Sequence, residues 1–119
     1  MVVGGAHWGG GLWISTEDMA RVGRLMMQGG KWQGMRVLSK VWIAASVQPC
    51  ALNSGYGHLW WLNRNGEVAP AASAQSFFAI GVGSNVIWID TLNELVVVAR
   101  WIEKGAVAGF CERVMAAMD

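Results

Sequence analysis

Charge is scarce in this chain of 119 residues: 14% of its side chains are charged, against about 25% in a typical soluble domain. The nine Lys and Arg nearly balance the eight Asp and Glu, leaving a net charge of +1 with no basic run and no acidic tail. A phosphate footprint needs clustered cations, so no nucleic-acid partner is expected. Long apolar runs are also missing. None approaches the roughly 20 residues that cross a bilayer, so no membrane span is expected. The opening MVVGGAHWGGG carries no basic segment and does not read as a signal peptide. Cysteine and histidine are rare. Cys50 and Cys111 lie far apart and read as buried free thiols rather than as a disulfide, which nothing in the sequence supports, and with only His7 and His58 beside them no metal-ligand spacing exists.

Catalytic pairs are lacking as well. Ser-x-x-Lys, in which a lysine one helical turn on activates a serine, fails at each of the nine Ser and Thr positions. Gly-x-Ser-x-Gly is absent, since Val82 stands two places before Ser84. Gly81-x-Gly83 is a fragment of a dinucleotide fingerprint without its third glycine, so no cofactor is expected. Glu17/Asp18 read as a helix start and Asp90/Glu94 as a solvated turn rather than as paired acids. His58 reads as a packed histidine, and the tryptophans as core rather than as sugar-stacking platforms.

What is abundant is apolar material, 54% of the chain with eight tryptophans. One domain of this length buries roughly two thirds of its unfolded surface, so an exposed apolar face is expected. The sequence centres on FFAIGVGSNVIWIDTLNELVVVARWI, residues 77–102. Phe77–Asp90 and Leu95–Ile102 are rich in aromatic and β-branched residues and read as two strands joined by a four-residue break. Both are apolar on successive residues, which implies cover on both faces.

Around this pair the chain reads as one domain, 1–119. Gly9-Gly10-Gly11 reads as a flexible loop. Ser15 caps a helix with Glu17 and Asp18 in its first turn and a stripe of Met19, Val22 and Met26, ended by Gly29-Gly30. Lys31–Arg36 reads as a turn, Ser39 as the cap of a helix over Lys40–Val47, and Tyr56–Asn63 as a third strand followed by the turn Asn65-Gly66. Ala69–Ser76 reads as a surface loop. Val107, Phe110, Cys111, Val114, Met115 and Met118 form the clearest helical stripe. The sum is two helices, a three-stranded antiparallel meander and a terminal helix, with one sheet face covered and the other open.

Three stretches, taken in order, resemble the C-terminal part of the serine β-lactamase-related family, which includes class C β-lactamases, penicillin-binding D-alanyl-D-alanine peptidases and esterases. They are Gly9–Leu12 with Ser15-Thr16 and Asp18–Arg21; Tyr56-Gly57-His58-Leu59-Trp60-Trp61; and Ala79–Asn85 followed by Ile87–Asp90 and Leu95–Val98. The resemblance implies an α/β fold in the α+β arrangement: an antiparallel sheet with packed helices, the C-terminal part of a transpeptidase-like fold. It implies amide or ester hydrolysis through an acyl-enzyme in a complete protein, with the serine and lysine upstream of anything here. Such hydrolases are often exported or periplasmic.

The family's third motif, on a strand, falls on Val82-Gly83-Ser84, with valine where the family carries a cation. Substrate binding is accordingly expected at Val82, Gly83, Ser84 and Asn85, with the Asn85 N–H in an oxyanion role. Tyr56-Gly57-His58 does not satisfy Tyr-x-Asn, and no catalytic residue is expected in the chain. The partner is expected to be the missing N-terminal portion of the hydrolase or a second copy. The competing reading is a non-catalytic interaction protein that binds through its open sheet face.

Overall fold

The computed structural model describes residues 12–118, so the expected loop at Gly9–Gly11 lies outside the described residues. Ser15 caps α1 (Thr16–Met27) by accepting a hydrogen bond from the Asp18 N–H, while the Asp18 carboxylate pairs with Arg21. Gly29 and Gly30 follow with φ of 61° and 85°, the left-handed region that glycine enters without cost. Lys31–Arg36 is more than a turn. It forms a small hairpin of β1 (Lys31–Trp32) and β2 (Met35–Arg36). Ser39 then caps α2 (Lys40–Ser46) through the Trp42 N–H.

The main sheet has four antiparallel strands in the order β3 (Trp61–Leu62), β4 (Phe77–Gly81), β5 (Asn85–Asp90) and β6 (Leu95–Ala99). Two expectations change here. Only Trp61–Leu62 of Tyr56–Asn63 is strand, and Phe77–Asp90 is not one strand but a hairpin. Gly83 and Ser84 take φ of 77° and 50°, and two successive left-handed residues reverse the chain where an uninterrupted apolar run hides the turn. The second half of that run pairs with β6 as expected, Val86 opposite Ala99 through Asp90 opposite Leu95.

Alternation then sorts the strands between two cores. Phe78, Val86 and Trp88 face one way, where Val107 and Cys111 of α3 (Val107–Ala116) join them and Val97 packs alongside. Phe77, Ile87 and Ile89 face the other way, where Met19 and Met26 of α1 join them with Val96 and Val98. The expected open face therefore does not exist among the described residues: α1 covers one face and α3 the other. α1 reaches the sheet through Gly23 rather than Val22, which is exposed. A Cβ on Gly23 would stand 2.5 Å from Val96 Cγ1, so the missing side chain is what lets the helix lie this close.

The loop between β3 and β4 is also buried rather than superficial, with Ala69, Ala72 and Ser76 inside. Asn63 organises it. Its Nδ2 donates to the carbonyls of Ala69, Ala72 and Ser73, and its Oδ1 accepts from the N–H groups of Val68 and Ala69. Trp88 Nε1 donates to Ser76 Oγ from the sheet side. Among the described tryptophans only Trp88 is fully buried; Trp13, Trp42, Trp61 and Trp101 are exposed. The exposed apolar side chains thus lie mostly on loops and on the outer surface of α2, with Trp61 the exposed one of the main sheet.

Candidate functional site

The β4–β5 turn is the rim of a cleft of about 1050 Å³. Ile80, Gly81, Val82, Gly83 and Ser84 form one wall, and the segment from Trp101 to Gly105 forms the other. Val68 and Val107 contribute apolar surface, and Trp61 reaches in from β3. Each wall has a local cause. Val82 is 80% exposed because the turn lifts it off the sheet. Trp101 follows β6 with φ of 55°, a left-handed value unusual for a bulky residue. That kink lays its indole across Gly83. A Cβ at Gly83 would be 2.3 Å from Trp101 Cζ3, so glycine is required by the ring as well as by φ.

Of the four expected binding residues, Val82, Gly83 and Ser84 line the cleft and Asn85 does not. The side chain of Asn85 braces the turn instead: Nδ2 donates to the Val82 carbonyl at 2.8 Å, and Oδ1 accepts from Arg100 Nε at 3.4 Å. The three lining residues sit in a turn, not on a strand as the resemblance implied. Sequence reading missed Trp101, Glu103 and Lys104, which complete the cleft. Their one signal was the break at Lys104-Gly105 directly after an apolar run.

The cleft lining is mostly apolar. Ser84 is the hydroxyl among the lining residues, and none of the hydrogen bonds among the described residues joins its Oγ to a basic side chain. Glu103 and Lys104 place one acid and one base on the same wall. No group of His, Cys, Asp and Glu with metal-binding geometry occurs among the described residues. His58 is exposed and stacks on Trp42, ring centroids 5.3 Å apart, away from the cleft lining. Both cysteines are free as expected. Burial raises the Cys111 thiol to about 11, which makes it inert, whereas Cys50 is only partly buried.

Asp90 is the main surprise among the acids. Expected in a solvated turn, it is fully buried. Its Oδ1 accepts from Ser73 Oγ and from the N–H groups of Leu92 and Asn93; its Oδ2 accepts from the Ser73 N–H and Asn93 Nδ2. Burial pushes its pKa upward, the largest single influence, yet the bonds from Ser73 and Asn93 together outweigh it and hold the carboxyl below the usual range. It is a structural knot that ties the β5–β6 turn to the inner loop.

No known family's profile matches the chain. A 6-aminohexanoate-dimer hydrolase of Paenarthrobacter ureafaciens is 29% identical over 104 residues, covering 75% of this chain and 24% of the relative. A solved structure from Bacillus anthracis, also described as a 6-aminohexanoate-dimer hydrolase, superposes with a TM-score of 0.55 at 22% identity, covering 87% of this chain and 26% of that one. The chain has the fold of part of a 6-aminohexanoate-dimer hydrolase. It spans about a quarter of the length of these relatives. The sequence relative carries a hydrolase name, in keeping with the resemblance drawn from the motifs, and the structural neighbour shares the fold.

Proposed function

We propose that the chain is the C-terminal segment of a β-lactamase-related serine hydrolase, and that it supplies a substrate-binding wall without the nucleophile. The observation that carries this reading is the coincidence of two independent placements. The turn Val82-Gly83-Ser84, aligned by resemblance with the family's third motif, is also the rim of the large apolar cleft. In the complete hydrolase the peptide groups of this turn and the following Asn85 border the acyl carbonyl, and Trp101 and Val82 hold the apolar part of an amide or ester substrate. The serine, its lysine and the Tyr-x-Asn element come from the N-terminal portion of the hydrolase, which is the partner of this segment.

The test is covalent labelling followed by intact mass. The chain alone, treated with a fluorophosphonate or a fluorescent penicillin, carries no adduct. Co-expressed with a hydrolase N-terminal portion bearing Ser-x-x-Lys and Tyr-x-Asn, it yields a complex labelled on that portion, and Gly83→Val in this chain slows the labelling. A stoichiometric adduct on a serine of this chain, or a complex labelled equally well with Gly83→Val, overturns the proposal.

A further inference from the structure

Acidic residues are unevenly placed along this chain. Between Asp18 and Glu67 there is no Asp or Glu, yet Arg21, Arg24, Lys31, Arg36, Lys40 and Arg64 all fall there. Two of these cations meet in space. Arg24, in the last turn of α1, and Lys31, on β1, line a second cavity of about 560 Å³ together with Gln28, Trp32, Gln33 and Gly34. That volume falls within the roughly 300–1,000 Å³ of small-molecule sites. The cavity shares no lining residue with the cleft at the β4–β5 turn.

Local geometry explains why these side chains converge. Gly29-Gly30 reverse the chain directly after α1, and Gln33 and Gly34, with φ of 48° and 83°, close the β1–β2 hairpin. Trp32 is thereby set beside the helix. The Arg24 guanidinium carbon lies 5.7 Å from the centre of the Trp32 ring, within cation–π range. Gln28 holds the same guanidinium from its own turn of chain: its amide oxygen accepts from Arg24 Nε at 3.2 Å, and its nitrogen donates to the Lys31 carbonyl at 3.0 Å. An arginine that only complemented the dipole at the end of α1 would need neither support.

With Nε occupied, the end of the fork formed by Nη1 and Nη2 is what remains. No hydrogen bond among the described residues engages those two nitrogens, and the ion pair of Asp18 is with Arg21 rather than Arg24. A planar pair of N–H donors matches the two oxygens of a carboxylate, and holding the fork in place beforehand reduces the entropy lost on binding. Lys31 adds a second positive charge on the same rim. Trp32 supplies apolar surface beside the charge, from which an inorganic anion would gain nothing.

We propose that the cavity between the end of α1 and the β1–β2 hairpin binds a small organic carboxylate with an apolar body, its carboxylate on Arg24 and its body against Trp32. The site stands apart from the cleft, so the proposal does not rest on the hydrolase reading.

Benzoate titrated into the ¹⁵N-labelled chain tests it by NMR. The expected result is a saturable shift of the Trp32 indole N–H, identified by its loss in Trp32→Leu, at millimolar benzoate. Neutral benzamide leaves it in place, and added salt weakens the binding because the cations are exposed. Arg24→Gln weakens benzoate binding about tenfold or more. Arg24→Lys keeps the charge but not the fork, and loses most of the same affinity. Circular dichroism checks that each variant is folded. The absence of a saturable shift, an equal response to benzamide, or unchanged binding in folded Arg24→Gln overturns the proposal. Inorganic phosphate binding as tightly as benzoate also overturns it, because the indole would then contribute nothing.

Discussion

Trp101 lies across Gly83 so closely that a β-carbon there would meet its ring at 2.3 Å and 2.4 Å, at Cζ3 and Cε3. The contact joins the two walls of the cleft, and each residue is left-handed, φ of 77° at Gly83 and 55° at Trp101. Gly83→Ala is therefore opposed twice, by backbone conformation and by the indole. The expected cost is about 2–3 kcal/mol, measured by urea denaturation. Removing the ring relieves one part, so Gly83→Ala combined with Trp101→Gly is less destabilised than the sum of the single variants. Strict additivity would show that the ring does not press on Gly83 in solution.

Gly23→Ala separates helix propensity from packing. Alanine is worth about 1 kcal/mol more than glycine inside a helix. Here its methyl group would lie 2.5 Å from Val96 Cγ1 and 3.0 Å from Ile87 Cγ2, both on stiff β-branched side chains. Overpacking of this kind costs about 1–3 kcal/mol and wins. The variant melts below the parent; a rise in melting temperature would mean that α1 sits farther from the sheet.

Asn63→Ala removes five hydrogen bonds that hold residues 68–73 inside the fold. The N–H groups of half-buried Val68 and buried Ala69 lose their acceptor, and an unsatisfied buried group costs about 1–3 kcal/mol. A loss of about 3–5 kcal/mol is expected, with the loop amides exchanging early in hydrogen–deuterium exchange. Uniform exchange across the chain would assign Asn63 a lesser part.

Asp90 makes stability depend on acid. Its pKa is lower in the folded chain than the ordinary value of 3.8, so its contribution is fully present above that value and is lost as the pH falls through the depressed folded value. The parent chain therefore loses stability below about pH 4. Asp90→Asn is less stable at neutral pH and loses less across that acid range. Parallel pH profiles for the two proteins would contradict the role given to Asp90.

Much of the architecture is legible in local sequence because its causes are local. Ser15 and Ser39 cap helices by hydrogen bonds that span three residues. The stripe from Val107 to Met115 has one apolar side wherever it docks, and β5 and β6, apolar on successive residues, require a cover on each face. Other features depend on what distant segments bring to one place. Nothing within Phe77–Asp90 separates a glycine-bearing strand from a hairpin; the reversal at Gly83-Ser84 is set by β4 finding β5, and by Trp101 docking on the glycine. Gly23 has no side chain to enter a hydrophobic pattern, so its place against Val96 emerges only when α1 meets the sheet. Asp90 looks like a turn acid until Ser73, seventeen residues earlier, arrives to bond it. Periodicity and capping are written within a few residues, whereas burial and the cleft are properties of contacts between segments far apart in the chain.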